Sequence, residues 1–294
     1  MDPKINDLYG KYRSGHLDRR TFLRNLSLLA GGTAAAINLL PLLEQSQAFA
    51  GSFKQPNSGG EADLQTEFIQ YPAVSGPMKA FMARPRVDAK LPAVIVIHEN
   101  RGLQPHIVEV TKRMAKEGFM ALGPDALSPL GGTPDNDEGK AREMMRELDR
   151  ETTVKDFVAA VKYLKTNPLT NGKVGCTGFC WGGAMTNQVA VNAPDLVAAA
   201  PYYGSQPATE DVPRIRASMI LHYAGEDQRI NSGIKAFEEA LEKASIEFQT
   251  FVYDGAQHAF NNDSNPARYH EEAAKLAWKR TIEFFKEKLE GSSG

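Results

Sequence analysis

One six-residue segment places the tightest constraint on how this chain folds: Gly178-Phe179-Cys180-Trp181-Gly182-Gly183. The residues before it, 173–177, have the composition of a strand, and the residues after it, 184–191, suit a helix. Glycines at both flanks allow a sharp strand-to-helix turn that lifts Cys180 out of the sheet. A helix beginning there points its N-terminus at the thiol, which favours the nucleophilic thiolate. The segment therefore predicts a turn that presents a nucleophile; the alternative is a glycine-rich turn around a buried cysteine.

Strand-like and helix-like stretches alternate through most of the chain. The most apolar run, Leu91 to His98, fits a strand that is buried on both faces of a parallel sheet. This alternation predicts an α/β fold with a doubly wound, mostly parallel sheet flanked by helices. The predicted strands are 66–71, 78–84, 91–98, 120–123, 173–177, 196–202, 218–223 and 247–253, and the predicted helices are 107–117, 140–148, 152–166, 184–191, 230–244 and 271–289. Residues 125–139 are predicted to form a long surface loop that borders a pocket.

The first fifty residues differ from the rest and predict an export signal. Arg19-Arg20 precede an apolar run, Leu26 to Leu43, and Ala48-Phe49-Ala50 offers small residues for cleavage. The arginine pair resembles a twin-arginine signal, which predicts a periplasmic or secreted protein. If the segment is instead an amphipathic N-terminal helix, a cytoplasmic location is expected. A membrane anchor fits less well, because Gly31-Gly32 and Pro41 interrupt the apolar run.

The length and net charge of the chain limit its possible domain organisation and its possible partners. The predicted organisation is a signal segment at 1–50, a glycine- and proline-rich linker at 51–64 and one α/β domain at 65–290. The net charge of -2 gives no basic field that would attract nucleic acid or anionic lipid. The expected partner is a small molecule, with no nucleic acid and no stable membrane insertion after signal removal.

The chain has two cysteines, Cys176 and Cys180. Along a strand their separation is about 13 Å, which is too far for a disulfide. The sequence therefore predicts no disulfide framework and no cysteine-rich metal site. Cys176 is predicted to be a small buried apolar residue of the strand.

Two further residues are predicted to follow neighbouring strands and to complete a catalytic set with Cys180. Asp227 comes just after the strand at 218–223, and His258 follows the strand at 247–253. The order nucleophile, acid, base is the one that the α/β-hydrolase fold uses. Asp227 is instead a turn or helix-cap residue in the alternative interpretation, and Glu226 competes with it for the role of the acid.

The chain resembles the dienelactone hydrolase family over roughly residues 65–289. The matching segments are His98-Glu99-Asn100-Arg101-Gly102-Leu103, Gly178 to Gly183, Tyr202-Tyr203-Gly204, Gly225-Glu226-Asp227 and Gly255-Ala256-Gln257-His258-Ala259-Phe260-Asn261. The resemblance implies an α/β-hydrolase fold and ester hydrolysis by Cys180, Asp227 and His258, with no metal or organic cofactor.

The resemblance also implies roles for three residues near the nucleophile. In members of the family, a glutamate at the position of Glu99 contacts the resting thiol until substrate displaces it. The backbone N–H groups of Asn100 and Trp181 are expected to form the oxyanion hole. Independently of the family, Glu99 ends the most apolar strand of the chain, where a carboxylate needs a specific partner.

One departure from the family affects the substrate. Well-known members carry an arginine shortly after the catalytic histidine that holds the carboxylate of a dienelactone, whereas this chain has none between His258 and Arg268. Arg101 or Arg146 is a candidate to replace it. The sequence predicts a cysteine-dependent hydrolase of carboxylic esters or lactones. The alternatives are a thioesterase or acyltransferase, and a non-enzymatic binding or redox-sensing protein on the same scaffold.

Overall fold

The computed structural model describes residues 8, 17, 19–30 and 63–290, and the chain divides into two compact units, 1–57 and 58–294. In the first unit, helix α1 spans Arg19–Ala30. Apart from residues 8 and 17, the rest of the predicted export segment lies outside the described residues, as does nearly all of the predicted linker. The export signal and the domain boundaries therefore stay predictions. Within the described ranges, no helix combines the length and the apolar character needed to cross a membrane.

The second unit contains an eight-stranded sheet whose spatial order is β1-β2-β4-β3-β5-β6-β7-β8. Strands β1 and β2 pair antiparallel, β2 pairs antiparallel with β4, and every other pair is parallel. The strands are β1 Leu64–Ala73, β2 Gly76–Pro85, β3 Leu91–Ile97, β4 Met120–Pro124, β5 Thr170–Phe179, β6 Ala198–Tyr202, β7 Ser218–Ala224 and β8 Phe248–Tyr253. The predicted mostly parallel sheet is confirmed.

Helices cover both faces of this sheet because its central strands are apolar on both sides. Ile95 of β3 points into one core layer, whereas Val94 and Val96 point into the other. Helices α4, α5 and α7 pack on the first layer, and α2 and α8 pack on the second. The helices after α1 are α2 Pro105–Lys116, α3 Glu138–Glu147, α4 Arg150–Lys165, α5 Trp181–Asn192, α6 Gln228–Asn231, α7 Ile234–Lys243 and α8 Glu271–Glu290.

The strand order brings the carboxyl ends of β3 and β5 together at the centre of the sheet. The chain runs from β3 outward to β4 and then returns to the other side of β3 to form β5. Loops that leave two such strands diverge and open a crevice, which is where doubly wound sheets bind their ligands. Glu99 follows β3 and Cys180 follows β5, so both lie at this crevice.

Two sequence predictions need correction. The helix predicted at 230–244 is two helices, α6 and α7, which are separated by Ser232 and Gly233. The loop predicted on the surface at 125–139 begins in the core, since Asp125, Ala126 and Leu127 are fully buried or nearly so. The prediction that Cys176 is buried is confirmed: its side chain has no exposed surface, and burial raises its pKa to about 12.

The Asp125 carboxylate holds the first part of this loop together. It accepts hydrogen bonds from the N–H of Leu127 at 3.0 Å, and from the N–H and the hydroxyl of Thr133, both at 2.7 Å. A buried carboxylate needs such donors, because burying its charge without them is costly. The loop is therefore folded around one side chain of the core.

We expect Asp125→Ala to lower the free energy of unfolding by about 2–4 kcal/mol, because it removes three hydrogen bonds to one charged group. Denaturant unfolding measures this change. The matched control is Asp135→Ala, which removes an exposed carboxylate from the same loop and should shift the free energy by no more than about 0.5 kcal/mol. Equal effects of the two substitutions would contradict the role of Asp125.

Candidate active site

Cys180 occupies a strained backbone position between β5 and α5. Its φ of 56° and ψ of -113° lie in a region that residues other than glycine rarely adopt, and its N–H donates to the carbonyl oxygen of Tyr202 at 3.1 Å. Such strain costs on the order of 1–3 kcal/mol and persists only where the surrounding structure holds it. The predicted sharp turn at Cys180 is therefore present in the backbone.

Glycines hold the turn by letting backbone pack directly against backbone. A Cβ atom at Gly182 would lie less than 3.0 Å from the carbonyl oxygens of Ile97 and His98, at the end of β3. A Cβ atom at Gly178 would meet the carbonyl oxygen of Gly182 equally closely. Because no side chain fits at these two positions, the first turn of α5 sits directly on the end of the neighbouring strand.

Asp227 and His258 form the hydrogen-bonded pair that the sequence predicts. The Nδ1 atom of His258 bonds the Oδ2 atom of Asp227, which leaves the Nε2 atom of the ring available. The other oxygen of Asp227 accepts the N–H of Ile230 at 3.4 Å, so the residue also caps α6, as in the alternative interpretation. Glu226 is exposed, so Asp227 is the carboxylate that orients this histidine.

The other described histidines have other partners. His106 pairs with Asp263 at 3.2 Å, and His222 is buried within β7 and hydrogen-bonded through both ring nitrogens. His270 precedes α8 and accepts the N–H of Ala273 at 3.3 Å, whereas His98 lies buried at the end of β3. His16 lies outside the described residues.

Glu99 is only 8% exposed and is held from two sides. Its Oε2 atom accepts a hydrogen bond from the side-chain amide of Asn262 at 2.8 Å, and the guanidinium of Arg101 lies 3.8 Å from the same oxygen. Arg101 also pairs with Glu138 at 2.9 Å. Arg101 is thus engaged by two carboxylates, while the other candidate for a substrate carboxylate, Arg146, is exposed on α3.

The surroundings of Cys180 raise the pKa of its thiol. Burial is the main cause, and the negative charge of Glu99 is the second. The N–H of Trp181, which hydrogen-bonds the sulfur, and the positive charge of Arg229 act in the opposite direction but do not outweigh them. The N-terminus of α5 therefore favours the thiolate in the predicted direction, but burial and Glu99 outweigh it.

The two residues predicted to form an oxyanion hole lie on either side of the crevice. Trp181 is the first residue of α5, and its N–H is already close to the Cys180 sulfur. Asn100 is exposed and follows Glu99 at the end of β3, whose Ile97 is paired in register with Gly178 of β5. Both backbone segments therefore lie at the crevice between β3 and β5, where Cys180 also lies.

Three residues near Cys180 were not assigned a role from the sequence. Tyr203 has a positive φ of 38°, is buried, and its ring centroid lies 5.1 Å from that of His258. Asn262 holds Glu99, and Arg229 acts electrostatically on the thiol. Of the three, only Tyr203 could have been found from the sequence, because the Tyr202-Tyr203-Gly204 segment lies at the end of a predicted strand. Asn262 and Arg229 show no local pattern in the sequence and approach the site only in the folded protein.

Comparison with known proteins places these residues in a family. The family model described as "Dienelactone hydrolase family" matches residues 78–289. A protein of Escherichia coli (strain K12) named "Putative carboxymethylenebutenolidase" is 31% identical over 236 residues, which cover 75% of this chain and 86% of that protein. The solved structure of a "Putative Dienelactone Hydrolase" from Klebsiella pneumoniae is 27% identical and superposes with a TM-score of 0.68, covering 76% of this chain and 99% of that one. The predicted α/β-hydrolase fold is confirmed.

We expect Gly182→Ala to lower the free energy of unfolding by at least about 2 kcal/mol, because the new methyl group would overlap two carbonyl groups of the backbone, which cannot rotate away. Thermal or denaturant unfolding measures this loss. Gly139→Ala is the matched control: its Cβ atom would meet only the Asp137 side chain, at 3.4 Å, within helix α3. This control should be neutral or more stable by up to about 1 kcal/mol, since alanine favours helix. A Gly182→Ala protein as stable as the wild type would refute the close packing.

Proposed function

The chain belongs to the dienelactone hydrolase family, and from that premise we propose that it hydrolyses carboxylic esters or lactones with a Cys180–Asp227–His258 triad. One observation carries the proposal: Cys180, on its strained turn, and the bonded pair Asp227–His258 follow the parallel strands β5, β7 and β8, which end on the same side of the sheet. Asp227 bonds Nδ1 of His258, so Nε2 is the atom that receives a proton. No arginine closely follows His258 to hold the carboxylate of a dienelactone. The proposed substrates are therefore carboxylic esters and lactones in general, rather than dienelactones alone.

Acylation uses the thiol, the imidazole and two backbone amides. The sulfur of Cys180 attacks the carbonyl carbon of the substrate, and its proton passes to Nε2 of His258. The N–H groups of Asn100 and Trp181 donate to the oxyanion that forms. When the tetrahedral intermediate collapses, the alkoxide leaves, takes the proton from His258 and leaves a thioester on Cys180.

Hydrolysis of the thioester returns the enzyme to its starting state. A water molecule gives a proton to Nε2 of His258 while its oxygen attacks the thioester carbonyl. The second tetrahedral intermediate expels the Cys180 sulfur, which recovers the proton, and the carboxylic acid is released. Asp227 keeps the ring orientation in both halves and stabilises its protonated form.

Glu99 keeps the resting thiol protonated in this proposal. Its charge is the second cause of the raised pKa of Cys180, and Asn262 and Arg101 hold its carboxylate near the site. A substrate that occupies the crevice displaces this carboxylate from the thiol and removes a charge that disfavours the thiolate. The nucleophile is then activated only when a substrate is bound.

The alternative of a redox sensor fits the site less well. Cysteines that sense oxidants have a lowered pKa and are accessible, because the thiolate is the form that is oxidised. Here burial and Glu99 raise the pKa of Cys180 instead. The same geometry suits oxygen esters and thioesters alike, because both present a carbonyl carbon to the thiol.

We expect Cys180→Ala to lower kcat on activated esters by at least about 10³-fold, because no other group can form the acyl intermediate. The matched control is Cys176→Ala, which removes the only other thiol of the chain from the interior of β5 and should keep kcat within about threefold. Both variants are assayed side by side on p-nitrophenyl esters and on the corresponding thioesters. A Cys180→Ala protein with wild-type activity would overturn the triad.

We expect Glu99→Gln to lower the pKa of Cys180, because the substitution removes the carboxylate charge and keeps the shape of the side chain. The thiolate fraction at neutral pH then rises. The measurement is the rate of alkylation of Cys180 by iodoacetamide between pH 6 and 10, in the Cys176→Ala background.

The control for this measurement is Glu138→Gln, which neutralises the other carboxylate that contacts Arg101. Glu138 is half-exposed and does not act on the Cys180 thiol, so the alkylation profile of this variant should match that of the parent. An alkylation midpoint that stays in place or moves to higher pH in Glu99→Gln would contradict the proposed role of Glu99.

A further inference from the structure

His98 lies in the interior beside both predicted oxyanion donors, and its two ring nitrogens have separate partners. The N–H of Ala126 donates to Nε2 at 3.1 Å, and Nδ1 lies 2.6 Å from the carbonyl oxygen of Glu99. A backbone N–H only donates, so Nε2 is the acceptor and carries no proton. The proton of the neutral ring is therefore on Nδ1, which donates to the Glu99 carbonyl oxygen.

The bond to this carbonyl fixes the orientation of a whole peptide unit. The carbonyl of Glu99 and the N–H of Asn100 belong to the same peptide bond, which is planar and trans. Holding the oxygen on one side of the plane directs the N–H to the opposite side. The same imidazole stacks on the indole of Trp181, with ring centroids 5.4 Å apart and planes 9° from parallel.

We propose that His98 is a positioning residue of the oxyanion hole: it orients the Glu99–Asn100 peptide and supports Trp181, so that both backbone N–H groups converge on one oxygen. The inference rests on the proposed function, since it concerns the oxyanion of that reaction. His98 does not touch the substrate; it acts through a peptide bond and an aromatic contact. Glu99 thus has two roles in this proposal: its carboxylate raises the pKa of the thiol, and its backbone carbonyl accepts the hydrogen bond from His98.

The charge state of His98 suits this role. Burial lowers its pKa, and this effect exceeds the opposing influence of Asp125, of the Glu99 carbonyl and of the Glu99 carboxylate. The ring therefore stays neutral at the pH of ordinary activity assays. A neutral ring with Nε2 as acceptor is the only form that accommodates both the Ala126 N–H and the Glu99 carbonyl.

Two substitutions separate the two hydrogen bonds of His98. In His98→Asn, the side-chain amide nitrogen occupies the position of Nδ1 and keeps the donor to Glu99. In His98→Gln, the amide oxygen reaches the position of Nε2 and keeps the acceptor for Ala126, but the donor at Nδ1 is lost. Both variants lose the stack on Trp181, so the comparison between them isolates the peptide contact.

We expect His98→Gln to lower kcat on activated esters by about 10- to 100-fold, with KM within about twofold. This loss is below the 10²–10³-fold effect of deleting a donor, because the N–H remains but is misdirected. His98→Asn should keep kcat within about fivefold of the wild type. Phe157→Leu is the packing control: it removes the other aromatic neighbour of Trp181, at 6.1 Å, and should keep kcat within about twofold.

Alkylation by iodoacetamide distinguishes a positioning role from general damage, because that reaction forms no oxyanion. Its rate at Cys180 should stay within about twofold of the wild type in all three variants. Equal kcat values for His98→Gln and His98→Asn, or a fall in alkylation parallel to kcat, would overturn the inference. If Cys180→Ala retains activity, the proposed function itself fails; if Cys180 is required and His98→Gln has a wild-type kcat, only the role of His98 fails.

A measurement on the wild-type protein tests the same inference without relying on variants that fail to fold. Nitrogen-15 NMR of the imidazole reports which ring nitrogen of His98 carries the proton. We expect the proton on Nδ1 throughout the pH range in which the ester is hydrolysed. A proton on Nε2, or a doubly protonated ring within that range, would overturn the inference.

Discussion

The close approach of backbone to backbone at the start of α5 is the constraint on which the site depends. Gly182 rests on the carbonyl groups that end β3, so the turn carrying Cys180 and the segment carrying Glu99 and Asn100 form one packed unit. A side chain at Gly182 would separate them, and the strained backbone at Cys180 would lose the contact that holds it. Cys180 and its surroundings are therefore positioned by the sheet rather than by flexible loops.

This packing also explains why the pKa of the Cys180 thiol is raised. A turn pressed against the sheet is buried, and burial disfavours a charged sulfur more than the helix N-terminus favours it. Glu99 adds to the effect because it leaves β3 at the same crevice. A thiol with a raised pKa is less prone to oxidation and alkylation, and in the proposed mechanism its activation comes from the arrival of a substrate in the crevice.

Most of the fold and the central pair of the site follow from local patterns in the sequence. Central strands such as β7 are continuous apolar runs, and Asp227 follows β7 whereas His258 follows the edge strand β8. Because these two strands are parallel, the sheet brings both residues to the same end. The break between α6 and α7 was missed because Ser232 and Gly233 interrupt an otherwise periodic stretch only briefly. Asn262 could not be predicted, since its contact with Glu99 joins residues 163 positions apart and leaves no local pattern.

His222 and His98 are both buried, but they differ in their hydrogen-bond partners, and those partners rather than burial determine the role of each ring. His222 bonds the hydroxyl groups of Tyr253 and Thr281, both at 2.9 Å, and burial lowers its pKa to about 3. Its ring partners are side chains, and they extend the network to Tyr202 and Arg280, so the network ties β6, β7 and β8 to α8. The ring of His98 is equally buried, but it bonds backbone groups at the ends of two neighbouring strands: the carbonyl of Glu99 after β3 and the N–H of Ala126 after β4. A peptide group transmits the orientation of one atom to another across its plane, so in the proposed reaction His98, at the end of the strand next to β5, orients the N–H of Asn100.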